Sequence, residues 1–166
     1  SGRGFSRLYK RQYNDAYYTL VLFHADNNTD CPLAQIGFEI YNAQILNVEQ
    51  IQGRPDYTAH GSVSKYLSSI YWTYMMLILV SDFAIKNNIP EIRVKPKDKK
   101  GYDMVRDNPR YYRQYDLTAV DLGFVPVFAG QVIPVSFSEE GAPSVPVDYY
   151  QLKTDQITEF HPKLME

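Results

Sequence analysis

"PDYTAHGSVSKYL" (Pro55–Leu67) is where the pattern of the chain changes. Upstream, short β-branched and aromatic runs alternate with turns. Downstream, apolar residues recur at Leu67, Ile70, Tyr71, Tyr74, Leu77, Ile78 and Ile85, the spacing of a helix stripe. The stretch puts a Pro-containing turn, a lone Gly61 and two serines at the mouth of that helix. Two readings fit it. Ser62 or Ser64 caps the helix by accepting one of its free N–H groups. Alternatively, Gly61 lets the backbone approach an anion, with the amides of Ser62, Val63 and Ser64 adding donors at the positive end of the helix dipole.

Working upstream, "DAYYTLVLFHAD" (Asp15–Asp26) reads as a strand and "DNNTDCP" (Asp26–Pro32) as a turn. "LAQIGFEIYN" (Leu33–Asn42) and "AQILNVEQI" (Ala43–Ile51) read as two further strands of an antiparallel meander. Working downstream, a long helix over about Val63–Asn88 is stopped by "NNIP", and "EIRVKP" (Glu91–Pro96) is a short strand. Residues Arg110–Phe124 have helical spacing at Tyr111, Tyr115, Thr118, Ala119 and Leu122, ended by Gly123. Strands over Phe124–Phe137 and Val147–Asp155 follow. The order predicts an α/β (α+β) fold: a mixed, mostly antiparallel central sheet with one parallel crossover, flanked by helices, with the long helix after the third strand. One domain over residues 1–166 is expected, with a short arm or helix at 1–15 and a second arm at 156–166.

Composition narrows the function classes. With 166 residues, 45% hydrophobic and 22% charged, the chain can bury a core and is not of disordered composition. A net charge of -2 argues against non-specific nucleic-acid binding, which needs a basic field. Cys31 stands alone, which rules out an intrachain disulfide and a cysteine-based zinc site and fits a reducing, cytoplasmic setting. His24, His60 and His161 have no metal-ligand spacing. The most apolar run, Met75–Val80, is far short of the roughly 20 residues a bilayer requires. The 15 tyrosines read as amphipathic packing at sheet faces and at an interface.

The order and three motifs resemble the GNAT (Gcn5-related N-acetyltransferase) family. "PDYTAHGSVSKYLSS" is similar to the family run Pro-acid-Tyr-Arg-Gly-x-Gly-x-Gly-x-x-Leu-Leu, whose amides hold the coenzyme A pyrophosphate. "LVSDFAIKNNIPEIRV" (Leu79–Val94) is similar to the end of that helix and the next strand, and "LTAVDLGFVPV" (Leu117–Val127) to the helix that ends in Leu-Gly-Phe. The resemblance implies an acetyl-CoA-dependent N-acyltransferase acting on an amine-bearing small molecule or protein. It implies coenzyme A contacts at Thr58, His60, Gly61, Ser62, Val63 and Ser64, and a carbonyl-polarising N–H from a strand bulge around Leu46–Val48. Glu49, with Glu39 behind it, is the candidate general base, and Tyr115 the candidate general acid one turn before the family's tyrosine position, which is Ala119 here. The lysines of "KPKDKK" (Lys95–Lys100) and the "KRQ" run at Lys10–Gln12 are either solubility residues or contacts to the adenosine 3'-phosphate or an acidic partner.

Thr58, Ala59 and Val63 stand where the family has an arginine or glutamine and two glycines. A β-branched residue at 63 crowds an approaching phosphate. Only about fifteen residues precede the first strand, where the family has a strand and two helices walling the acceptor groove. These departures support an alternative: a catalytically inactive GNAT-like domain that works as a protein-interaction or assembly module, through a protein partner or self-association. A virus- or phage-encoded component is compatible with the Tyr- and Asn-rich composition.

Overall fold

The computed structural model describes residues 16–26, 29–53, 71–99, 108–109 and 111–157. The first described elements are three strands: β1 (Tyr18–Asp26), β2 (Thr29–Tyr41) and β3 (Ile45–Gly53). Each pairs antiparallel with the next, as a meander must when its connections are short. Helix α1 (Trp72–Lys86) then carries the chain back, so that β4 (Glu91–Val94) lies parallel to β3. The second half is a helical stretch from Tyr111 to Asp121, strands β5 (Val125–Phe128) and β6 (Gln131–Val132), and β7 (Tyr149–Lys153). The sheet order is β1-β2-β3-β4-β7-β5-β6, in which only β3 and β4 run parallel. This is the mixed, mostly antiparallel α/β sheet with one parallel crossover that the sequence predicts.

The sheet has one apolar face and one polar face. Ile36 and Phe38 of β2, Leu46, Val48 and Ile51 of β3, Ile92 and Val94 of β4, and Tyr150 and Leu152 of β7 form the apolar one. Met76, Leu77, Val80 and Ala84 of α1 lie on it, joined by Tyr115 and Ala119. Burying each large aliphatic side chain contributes about 1.5–3 kcal/mol, so this layer holds the helices to the sheet. The buried side of α1 differs from the expected stripe. Ile85 and Tyr71 are exposed, and the seam runs through residues 76, 77, 80, 81 and 84. Residues 75–80 are apolar all round, so periodicity could not fix the phase; contact with the sheet does. The beginning of the predicted helix, 63–70, lies outside the described residues.

Stops fall where the sequence places them. Asn87 N–H and its side-chain amide both donate to Phe83 O, at 3.1 and 2.8 Å, and Asn88 takes the left-handed conformation (φ 54). Gly123 (φ 86) ends the second helix, with Phe124 N–H on Ala119 O at 3.0 Å. The single strand expected over Phe124–Phe137 is instead the β5–β6 hairpin. Ala129 and Gly130, both at positive φ, turn the chain there.

On the polar face, Glu91 is nearly buried and accepts hydrogen bonds from Arg93 Nε and Lys153 Nζ. Burial alone would raise its pKa, but the two cations more than offset this and hold it below the ordinary 4.5. A carboxylate with a depressed folded pKa stabilises the fold above its unfolded pKa, and that contribution is lost as pH falls through the folded value. Glu91→Gln is therefore expected to be less stable than the parent at neutral pH, with the gap closing as pH falls below 4.5. Urea midpoints across acidic pH test this; a gap that ignores pH would show that the two ion pairs contribute nothing.

Candidate functional site

β3 is the centre of the site because it does two things in sequence. Over Ile45–Val48 it is paired on both sides, with β2 and with β4. Lys95 N–H still donates to Val48 O at 3.2 Å, and β4 then ends while β3 runs on to Gly53. At that point Glu49 is an extra residue. Gly37 pairs with Gln50 and Phe38 with Val48, which leaves Glu49 unmatched in a β-bulge. The bulge shifts the alternation by one. Val48 O points toward β4, so in a regular strand Gln50 would point the same way; after the bulge it is Ile51 that presents its N–H and C=O there.

Those two groups of Ile51 are taken by the second helix. Ile51 N–H donates to the Tyr115 hydroxyl at 3.1 Å, and that hydroxyl donates to Ile51 O at 2.8 Å. Gln114 Nε2 donates to the same carbonyl. Tyr115 is 2% exposed. The helix reaches Ile51 this way because Arg113–Leu117 is a π-helical turn, a feature frequent at functional sites. The same turn drives Asp116 inside, where its carboxylate accepts from Lys97 N–H (3.1 Å) and the Tyr150 hydroxyl (2.7 Å). Burial, and then Asp116, hold the Tyr150 hydroxyl well above the usual tyrosine range. Asp116 thus links the end of β4, the π-turn and β7.

Beside this junction is an open cleft of about 400 Å³, lined by Trp72, Thr73, Tyr74, Arg113, Gln114, Leu117, Thr118 and Asp121. It lies at the N-terminus of α1, which among the described residues has no side-chain cap and has no acid in its first turn. Across the cleft the Arg113 guanidinium bonds Glu139 O at 3.0 Å, and Asp121 accepts from the Tyr74 hydroxyl at 2.6 Å. Burial first, then Asp121, raises the Tyr74 pKa. Trp72 packs over Gly53, where an added Cβ would meet its ring at 3.5 Å. Trp72 thus brings the wall of the cleft at the start of α1 against the end of β3. An uncapped helix start facing a guanidinium suits an anionic phosphate group.

The predicted site residues divide into three groups. Leu46 and Val48 lie in the stretch of β3 paired on both sides, with fully buried side chains and with Val48 O taken by Lys95 N–H, so neither presents a free carbonyl-polarising group. Glu49 occupies the bulge and pairs with Lys95 at 3.1 Å across the mouth of the splay. Glu39 holds the Tyr41 hydroxyl, and that bond, followed by partial burial and the charges of Glu39 and Glu49, raises the Tyr41 pKa. Tyr115 lies two β3 residues from Glu49, but its hydroxyl is committed to Ile51. Thr58, His60, Gly61, Ser62, Val63 and Ser64 lie outside the described residues, as does the Lys10–Gln12 run. The Lys95–Lys100 run is not an open basic patch over its described part. Lys97 is buried over the Tyr112 ring, and Lys99 is 3.5 Å from Asp148. Arg113, Gln114 and Asp116 escaped the sequence reading because a 3.6-residue period gives no sign of a π-turn. Among the described residues, no cluster of His, Cys, Asp and Glu could hold a metal ion, and no helix is long and apolar enough to cross a membrane.

No protein-family model and no curated protein sequence matches the chain. Among solved structures it is similar to an acetyltransferase of the GNAT family from Staphylococcus aureus Mu50, at 14% identity and a TM-score of 0.43 over 82% of this chain and 66% of that one. It is also similar to Tetrahymena GCN5, at 12% identity and a TM-score of 0.40 over 82% of this chain and 67% of that one. The likeness is in the course of the chain, which spans about two thirds of each of those proteins.

The Tyr115 hydroxyl satisfies a donor and an acceptor on one residue, so its removal leaves Ile51 N–H buried and unpaired. Tyr115→Phe is expected to lower stability by about 1–3 kcal/mol, read as a shift in urea midpoint. An unchanged midpoint would mean the β3–helix junction holds without that bond.

Proposed function

We propose that this protein is an N-acyltransferase of GNAT type, drawing its acyl group from a coenzyme A thioester. The observation that carries this reading is the bulge at Glu49, placed where β3 parts from β4. It sets a carboxylate beside a strand whose backbone groups are not all used by the sheet, next to a cleft that ends at an uncapped helix start. Acyl transfer needs little more than positioning, a proton acceptor and an N–H donor for the carbonyl oxygen.

The residues present fit coenzyme A at the cleft. The first-turn amides of α1 and the Arg113 guanidinium would hold its phosphates, and Gln114 lies on the path from there to β3. Bound there, coenzyme A would supply an activated thioester carbonyl. Glu49 takes the proton of the attacking amine, directly or through a water. An amine attacking that carbonyl would form the carbon–nitrogen bond as the carbon–sulfur bond breaks, its proton passing to Glu49 and the departing thiolate taking one from solvent. Lys95, paired with Glu49 at 3.1 Å, orients its carboxylate where β3 parts from β4.

A second reading is favoured by Tyr115. Its hydroxyl and Gln114 close the edge of β3 at Ile51, as they would in a fold kept for its surface. In that reading the protein is an interaction or assembly module whose partner is another protein or a second copy.

Titration with acetyl-CoA and free coenzyme A separates the two. At about 100 times the dissociation constant, a ligand of the folded state adds about 2.7 kcal/mol of stability, a clear rise in Tm. Arg113→Ala is expected to weaken that binding, and Glu49→Gln to leave it intact while lowering kcat by about 10²–10⁴-fold. No rise at saturating concentrations of either molecule would overturn the transferase reading.

A further inference from the structure

Ile51 O has more donors than it needs. The Tyr115 hydroxyl and Gln114 Nε2 both donate to it. A carbonyl oxygen can accept two hydrogen bonds, but one is enough to satisfy it when buried. Ile51 N–H is on the Tyr115 hydroxyl as well, so Tyr115 by itself pairs both backbone groups of that residue. Gln114 is a second donor to a group already paired. Moving its amide away would leave neither Ile51 N–H nor Ile51 O alone.

The π-turn does not need that bond either. Thr118 Oγ1 donates to Arg113 O at 2.7 Å, within the turn. The Arg113 guanidinium is on Glu139 O at 3.0 Å, and Asp116 accepts from Lys97 N–H and the Tyr150 hydroxyl. Gly141 packs on the same turn so closely that an added Cβ would meet Leu117 Cδ1 at 2.6 Å. Other groups thus anchor the turn on both sides of Gln114. The two neighbours also differ in exposure. Tyr115 is 2% exposed, whereas Gln114 is half-buried and borders the open cleft at the start of α1.

We infer that Gln114 is a two-position residue: its amide lies on Ile51 O in the free protein and turns to a ligand in the cleft, with no loss of pairing on β3. The helix start and Arg113 suit phosphate. A carboxamide, with a donor and an acceptor side by side, suits another amide. The amide groups of coenzyme A's pantetheine arm have that chemistry, and a nucleotide phosphate alone does not. Gln114 therefore makes the cleft prefer the whole coenzyme to its nucleotide end. The identity of the ligand rests on the coenzyme reading above; the redundancy of the Ile51 bond does not.

The test uses Gln114→Met, which keeps the length of the side chain and removes the amide. Its urea midpoint is expected to match that of the parent, because Tyr115 still pairs Ile51. Calorimetric titration should show its affinity for coenzyme A about fivefold to tenfold weaker, as the loss of one hydrogen bond gives. Its affinity for adenosine 3',5'-bisphosphate, which has phosphates but no amide, should be unchanged. A second measurement needs no folded variant of residue 114 to be decisive: in the isotope-labelled parent, one glutamine side-chain amide signal should move with coenzyme A and stay still with the bisphosphate. Coenzyme A affinity intact in a folded Gln114→Met, equal weakening of both ligands, a lowered urea midpoint, or glutamine signals that ignore coenzyme A would overturn the inference and leave the coenzyme reading standing. A parent that binds neither ligand would overturn the coenzyme reading itself, and this inference with it.

Discussion

The bulge at Glu49 is the constraint on which the rest depends. One extra residue in β3 changes which backbone groups face β4 and which side chains face each side of the sheet. Before it, Leu46 and Val48 face the core; after it, Ile51 does. Without the shift, Gln50 would enter the apolar layer and Ile51 would face the polar side. Burial of one large aliphatic side chain and exclusion of one polar amide together fix the register within that short stretch.

The second consequence is the junction with the π-turn. A strand that leaves its partner exposes a donor and an acceptor, and buried peptide groups must be paired. Tyr115 and Gln114 supply the pairing from a helix more than sixty residues away. A regular α-helix would not present three consecutive side chains to this junction. The π-turn does, and Asp116 beside them ties Lys97 and Tyr150 into the same joint. Its cost in helix geometry is offset by these hydrogen bonds. The joint and the cleft at the start of α1 share Gln114, so packing and the candidate binding surface are continuous here.

The two faces of the sheet obey different rules. The apolar face is filled by aliphatic and aromatic side chains from α1 and the second helix, and its energetics are those of area removed from water. The polar face carries Glu91 between two cations, a cluster of three glutamines, and the Glu39–Tyr41 pair. Buried polar groups of this kind contribute little net stability but fix geometry, because only one arrangement satisfies them. The glutamine cluster departs from that rule at Gln50 Oε1, which is buried with no partner.

Much of this was legible in the chain itself. β-branched and aromatic runs gave the meander, Asn87–Pro90 and Gly123 gave the helix stops, and a helix between β3 and β4 implied the parallel crossover. These are local: backbone preference and periodicity act within a few residues of where they are written. The hairpin turn at Ala129–Gly130, the phase of α1 and the partners of the lysine run were not legible, because each depends on what packs against them. The bulge and the π-turn were hidden for the same reason. Each inserts one residue into a periodic pattern, and its signature in sequence is a short irregularity that an apolar or polar residue in place would equally give. Glu49 was legible as a carboxylate near a loop. Its position at the fork of two strands, and the commitment of Tyr115 to Ile51, were decided only when two segments distant in sequence had to satisfy each other's buried hydrogen bonds.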